Sequence, residues 1–527
     1  MEKEGKRMKK LLYLFILLIV LVCSLTSCNF PFLLERETTT LSQETSSELS
    51  EETTTAPEEP ILPSEDLAYE VNDDGVTCTI TGIGRCNDSA VYIGNYIDGY
   101  KVTAIDEFAF YNHIGITSVT IPDTVTSIGT DAFRDCSNLT SVTIPDSVID
   151  LGGGVFANCI SLTEVTISNA LTAIGNFVFY GCSNLESVTI PDSIVTIGRG
   201  AFEYCQSLKS VTIPKAVTNI DDYVFQNCYA LASIVVDKNN QVYQSIDGNL
   251  YSKDGTVLIL YATGKQDTTF VVPNSVTTIS NWAFYNADDL MSIVIPNSVT
   301  TIGEGAFNNC TGLTTVTIPN SITQISDFAF YSCTGLMSVT LPNSIVSVGK
   351  YAFYNCNSLT DVIIPDAVTV IGECAFANCE SLIGITIPNS VTTIGDHAFA
   401  YCFALANITI PNSVTCIGNG VFAECQSLTN VVIHDYITTV GDLVFRDCTG
   451  LTSVTIGSSV TRIGYLAFSG CSNLTSVIFT TSDDWWCARI PTATSGTVIS
   501  AYDLSNPANA AQYLTDTYGK YFWNRSE

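Results

Sequence analysis

Cysteine, histidine and carboxylate side chains carry most protein chemistry, so their spacing sets the first constraints. The 527-residue chain holds 20 cysteines. Thirteen of them, at 136, 159, 182, 205, 228, 310, 333, 356, 379, 402, 425, 448 and 471, recur every 23 residues apart from one longer gap. Regularly spaced thiols would suit a soft metal or a set of disulfides. Equivalent side chains on stacked coils lie about 4.8 Å apart, however, whereas a disulfide needs Cβ atoms near ~3.8 Å. Buried free thiols are therefore expected. Cys78 and Cys86 fall off the spacing, and the sequence leaves open whether they close a small N-terminal loop. His113, His397 and His434 occupy different phases of the repeat and form no constellation. Asp123, Asp146 and Asp192 share a phase with Asn169, a pattern that Ca²⁺ would tolerate but that turn formation explains better. No HExxH, GxSxG or GxxxxGK[ST] motif occurs, and Gly152-Gly153-Gly154 is a repeat glycine with two small neighbours. No catalytic residue, metal or cofactor is expected.

Aromatic residues offer contact area instead of reactivity. Trp282 and Tyr285, Phe328 and Tyr331, and Tyr351 and Tyr354 stand two before and one after a recurring phenylalanine. Clustered exposed aromatics of this kind anchor protein interfaces, so these six are the expected partner-binding residues. Mutual packing of neighbouring corners is the competing explanation. A second surface is chemically distinct. Ser118/Thr120, Ser141/Thr143, Thr315/Thr317 and Ser338/Thr340 make a nearly uncharged hydroxyl face. Such a face suits glycans or filaments through many weak contacts, although generic strand formers would look the same.

The elements that position these side chains follow from one repeat. Phenylalanine recurs at 110, 133, 156, 179, 202 and 225, and at 284, 307, 330, 353, 376, 399, 422, 445 and 468. Every step is 23 except that from 225 to 284, which exceeds the period by 36. In the unit from Leu139 to Ser161, Val and Ile alternate with Ser and Thr, the period-2 pattern of a half-buried strand. Proline ends that strand, Asp-Ser makes a turn, and a second short extended piece leads to glycine. Ala-Phe-x-x-Cys is expected to form a short helical or 3₁₀ corner. One coil cannot bury its own apolar face, so the coils must stack. The expected fold is a β-rich leucine-rich-repeat solenoid of about 16 coils with parallel strands. Residues 63–109 form an N-terminal cap and first coil, 110–480 the solenoid, and 481–527 a C-terminal cap with a helix over Pro507 to Tyr518. The insertion at about 237–272 carries Asp247-Gly248 and Asp254-Gly255 between apolar runs, which predicts a small β-meander projecting from the rod.

This 23-residue phrase resembles the BspA-type leucine-rich-repeat surface proteins of bacteria and some mucosal protists. The resemblance covers residues 100–480, and Ile97-Asp98-Gly99-Tyr100-Lys101-Val102 looks like that family's opening coil. It implies a non-enzymatic adhesion or protein-binding module that engages host matrix proteins or other cells. A self-associating structural rod and a glycan-binding accessory protein are the alternatives.

The N-terminal residues read as an address. Lys6, Arg7, Lys9 and Lys10 precede the apolar run Leu11 to Val22, which is too short to span a bilayer core of about 30 Å and fits a signal segment over 1–27. Leu25-Thr26-Ser27-Cys28 resembles the lipobox of bacterial lipoproteins, implying acylation of Cys28 and an extracytoplasmic, membrane-tethered protein. Residues 28–62 are rich in Thr, Ser, Glu and Pro and read as a disordered stalk. With Lys+Arg at 21 against Asp+Glu at 52, the net charge is −31, which disfavours nucleic-acid partners and favours basic ones.

Overall fold

The computed structural model describes residues 62–526. The expected signal segment, Cys28 and the stretch up to residue 61 lie outside the described residues.

Each coil contributes two strands. The longer one, typified by Ser141–Thr143, buries its central Val142 and leaves Ser141 and Thr143 exposed. It stacks in parallel on Ser118–Thr120 with a 23-residue register, Val119 facing Val142. The proline that follows does not merely stop the strand. Its carbonyl accepts the amide three residues on, as in Val148 to Pro145 at 3.0 Å, closing a turn that sends the chain into the two-residue strand Asp150–Leu151. Seven strands from Thr269–Val271 to Asn407–Thr409 make the longest parallel sheet. The solenoid has about 18 turns, exceeding the expected 16 because coils at both ends and one inside the insertion join the stack.

The corner is not helical. Around Phe133, alternate amides close i+3 turns (Ala132 to Gly129, Arg134 to Asp131, Cys136 to Phe133). The amides between them reach the next coil: Asp131 to Gly153 at 2.9 Å, Phe133 to Val155 at 2.9 Å and Asp135 to Ala157 at 2.8 Å. This alternation requires left-handed residues two before and two after the phenylalanine, for example Asp131 (φ 55°) and Asp135 (φ 61°). A helix would direct every amide along its own chain, whereas this double turn gives the corner an inter-coil ladder of its own. Asn and Asp, which tolerate the left-handed region best, often fill the second position, as at 112, 135, 158, 227, 286, 309, 355, 378 and 447.

Inside the corner the phenylalanines form offset stacks, with centroids 4.9 Å apart for Phe110 and Phe133 and 5.7 Å for Phe156 and Phe179. Each is fully or almost fully buried, contributing roughly 1.5–3 kcal/mol as a large apolar side chain. The core has two large clusters that meet in the insertion, and a small third one of Cys374, Ala377, Ala400 and Ala423 against which Tyr351 and Tyr354 pack. There the strands Tyr243–Ile246, Asn249–Ser252 and Val257–Leu260 make the expected antiparallel meander, turned at Asp247 and Gly248, both with positive φ. The meander does not project. Leu250, Tyr251, Leu258 and Tyr261 are buried, and Val257–Leu260 pairs in parallel with Thr278–Ile279. Tyr261 lies one period before Phe284 and stacks on it at 5.1 Å, so the ring series resumes before the cysteine spacing does. The apolar residues chosen for a free-standing hairpin are the ones that bind it into the stack.

At the C-terminal end Phe522–Arg525 pairs antiparallel with Arg462–Ile463, and Trp485 and Trp523 are buried over the last coil. The stretch expected as one helix is Pro507–Gln512 followed by a π-helical turn, Tyr513–Thr517, after a separate four-residue helix, Ala501–Leu504.

Candidate functional site

The cysteines resolve first. Each of the thirteen repeating thiols donates to the carbonyl of the phenylalanine 26 residues earlier, as in Cys136 to Phe110 at 3.1 Å and Cys333 to Phe307 at 3.1 Å. They therefore bridge adjacent coils through hydrogen bonds to backbone. Burial pushes these thiols up, to about 12 for Cys136 and Cys182, so they are poor nucleophiles and poor metal ligands. Cys78 and Cys86 are free thiols, the first fully buried. His434 donates from Nε2 to Pro411 O (3.0 Å) and accepts the Tyr436 amide at Nδ1, a role in the turn. The turn carboxylates also tie coils together: Asp146 accepts from the Asn169 amide at 2.8 Å, and Asp192 pairs with Lys215 at 2.8 Å. Among the described residues no group of three or more His, Cys, Asp or Glu side chains is placed to hold a metal ion.

The six expected contact aromatics do come together. Trp282 meets Tyr285 edge-on at 5.8 Å and reaches Phe328, two coils away, at 6.5 Å. Phe328 stacks on Tyr351 at 5.1 Å, and Tyr331 on Tyr354 at 4.9 Å. Tyr351 and Tyr354 close the group at 5.7 Å. The link across two coils depends on Gly305. A Cβ there would sit 2.4 Å from the Trp282 ring, so glycine leaves the space over which the indole lies. All six side chains are half-buried rather than fully exposed, because each covers part of its neighbour. Burial also pushes the Tyr285 hydroxyl up to about 12 and raises that of Tyr351, which donates to Glu373.

Trp282, Phe328 and Tyr351 occupy the first left-handed position of their corners, with φ of 54–57°. Coils 154, 200, 305 and 420 place glycine there, the residue that adopts this conformation at least cost. Bulky aromatics at such a position carry strain, which their ring contacts help to offset.

Sequence reasoning missed the continuation of this surface across the insertion. The coil that carries Tyr261 cuts its corner short, and Asn286 donates its amide to Asn227 over a 59-residue interval. Tyr223 thereby meets Trp282 at 6.1 Å. Behind them lies a cavity of about 350 Å³ that includes Ile220, Leu250, Leu260 and Trp282. A shallower groove of about 260 Å³ beside it brings in Phe177, Arg199, Glu203 and Tyr204. The only signal in the sequence was that Glu203 fills the slot that Tyr180, Tyr285, Tyr331 and Tyr354 fill on other coils.

The sheet face is as expected at its outward positions: Ser141, Thr143, Thr315 and Thr317 are exposed. The preceding column of threonines is spent internally, Thr140 donating to Thr117 O and Thr163 to Thr140 O at 3.1 Å each.

Parallel strands at 23-residue spacing, a ring stack at every corner and a backbone-bonded cysteine behind it define a leucine-rich-repeat scaffold. A structure of a leucine-rich cell surface protein from Faecalibacterium prausnitzii is 31% identical, covering 64% of this chain and 96% of its own, with a TM-score of 0.52. A leucine-rich-repeat protein from Eubacterium ventriosum, at 24% identity, covers 82% of this chain and 96% of its own with a TM-score of 0.50, a likeness of fold. A search of curated protein sequences finds no match. The profile of the BspA type leucine-rich repeat region matches residues 103–232, 263–383 and 373–483, and the chain belongs to that family. No helix among the described residues is long and apolar enough to cross a membrane.

Proposed function

We propose that this chain is a non-enzymatic surface module that binds protein, engaging host matrix proteins or other cells, and that it is held at the membrane through Cys28. The observation that carries this reading is the run of touching rings from Trp282 to Tyr354, in which Trp282, Phe328 and Tyr351 sit at left-handed backbone positions where other coils use glycine. Rigid aromatic side chains offer large contact area at low entropic cost, which is what interface hot spots require. The likeness to a cell surface protein of known structure supports the location. The test is capture of immobilised matrix proteins by the full chain. Replacing Tyr331, Tyr351 and Tyr354 together by Ser, with the fold checked by circular dichroism, is expected to weaken capture at least tenfold. Unchanged capture by that variant refutes the assignment of these rings.

A second reading, lateral self-association, draws support from exposed apolar residues that interrupt the hydroxyl face, notably Ile363 (74% exposed), Val271 and Val294. Concentration-dependent association of the full chain, abolished by Ile363→Ser together with Val271→Ser, would favour it.

A further inference from the structure

One carboxylate on the corner face has no hydrogen-bonded partner. Glu203 is half-buried, lines the groove of about 260 Å³, and its carboxylate makes no hydrogen bond or salt bridge among the described residues. Phe177, Tyr204, Tyr223, Trp282 and Tyr285 share that groove. Arg199 is present too and attracts the carboxylate, but its guanidinium lies over the Tyr223 ring at 4.9 Å and makes no salt bridge with it. Taking a carboxylate out of water without a partner is costly, and burial pushes the Glu203 carboxyl up to about 7. Such a group is more useful to a ligand than to the fold.

The chemistry of the groove selects among ligands. A sugar would need several free donors and acceptors. The Asn227 amide oxygen is already taken by Asn286 and by the Tyr229 hydroxyl, and Gln226 is buried. With Arg199 engaged on the Tyr223 ring, what the groove leaves open is the other ring faces and the Glu203 carboxylate, the complement of an ammonium or guanidinium group. The net charge of −31 attracts basic ligands to the same surface.

We infer that the groove around Glu203 binds a lysine or arginine side chain presented by a protein partner, held against the rings of Tyr204, Tyr285 and Trp282 with Glu203 as its counter-charge. This rests on the reading of the corner face as a protein-binding surface and names the chemistry of the partner residue it takes.

The test uses the full chain and two peptides, acetyl-Gly-Lys-Gly-amide and its counterpart with Nε-acetyl-lysine, with binding followed by calorimetry and by the emission of Trp282. The lysine peptide should bind saturably and the acetylated one at least tenfold more weakly. Glu203→Gln should lower affinity for the lysine peptide at least tenfold while leaving the urea midpoint no lower than wild type. Equal binding of the two peptides, no saturable binding, or an unaffected Glu203→Gln overturns the inference. Matrix-protein capture separates it from the broader reading. If Glu203→Gln captures normally while the Tyr331/Tyr351/Tyr354 variant does not, the cation groove fails and the protein-binding surface stands. If neither variant changes capture, both fail.

Discussion

Gly305→Ala is the sharpest single-residue probe of the corner. Gly305 has φ of 57°, and a Cβ there would meet three atoms of the Trp282 indole at 2.4, 2.5 and 2.8 Å. Placing an L-residue in the left-handed region costs roughly 1–2 kcal/mol. Forcing the indole aside adds about 1–3 kcal/mol, as overpacking does elsewhere. Loss of the Trp282–Phe328 contact removes about 0.5–1.5 kcal/mol more. The expected total is roughly 2.5–6.5 kcal/mol. Gly384→Ala is the matched control, because a Cβ at 384 meets nothing within 4 Å, and its effect should stay within about 0.5 kcal/mol. A solenoid need not unfold in one step, so urea unfolding should be paired with hydrogen exchange at the amides of 305–308. Adding Trp282→Gly to Gly305→Ala removes the obstructing ring, and a double-mutant cycle should show coupling of about 1–3 kcal/mol. Equal stability of the two glycine variants, or strict additivity in the cycle, would refute the claim that glycine opens the path of the indole.

Other expectations follow from the same geometry. The thirteen repeating thiols should resist alkylation at pH 8 until the chain unfolds, with exposed Cys416 modified first; mass spectra showing a crosslink between Cys333 and Cys356 would contradict the hydrogen-bonded thiol ladder. Glu203 titrates near 7 when folded against 4.5 when free, so the folded state binds the extra proton between those values. Stability should therefore fall as pH rises from about 4.5 to about 7, by about 1–2 kcal/mol after solvent screening of a partly exposed group is allowed for. Glu203→Gln should flatten that slope, since the groups facing it, Arg199, Tyr180, Tyr204, Tyr223 and Tyr285, carry no carboxylate; an unchanged slope places the proton elsewhere. Cys28→Ser should release the protein from the detergent phase, and continued partitioning into detergent would remove the case for a lipid anchor.

The repeat made the fold legible because each of its positions has one physical duty. Val142 must point inward and Ser141 outward, and Pro145 must end a strand, whatever the neighbouring coils contain. The corner was harder to read. Ala-Phe-x-x-Cys fits a helical turn by propensity, and only inter-coil hydrogen bonds, which have no signature within one repeat, favour two left-handed residues instead. The insertion misled for a related reason. Asp247-Gly248 correctly signals a hairpin, but whether a hairpin projects depends on what its far face meets, and Tyr261 hides its place in the ring series by not being phenylalanine. The grouping of the six corner aromatics was visible from spacing. Gly305, which joins Trp282 to Phe328, and Glu203, which turns a ring surface into a charged groove, were not, since each matters through a residue on another coil.

The bond from each cysteine to the phenylalanine carbonyl of the preceding coil has a consequence for how such chains change length. Every coil offers its neighbour the same thiol, the same ring face and the same backbone groups, so the joint between any two regular coils is interchangeable. A duplication or loss of 23 residues within 402–471 would leave every such joint intact and alter the reach of the rod by about 4.8 Å. The same event across 225–284 would separate Asn227 from Asn286 and Tyr223 from Trp282. Extension by copying is thus cheap on the C-terminal side, whereas the stretch that builds the aromatic groove can be inherited only whole.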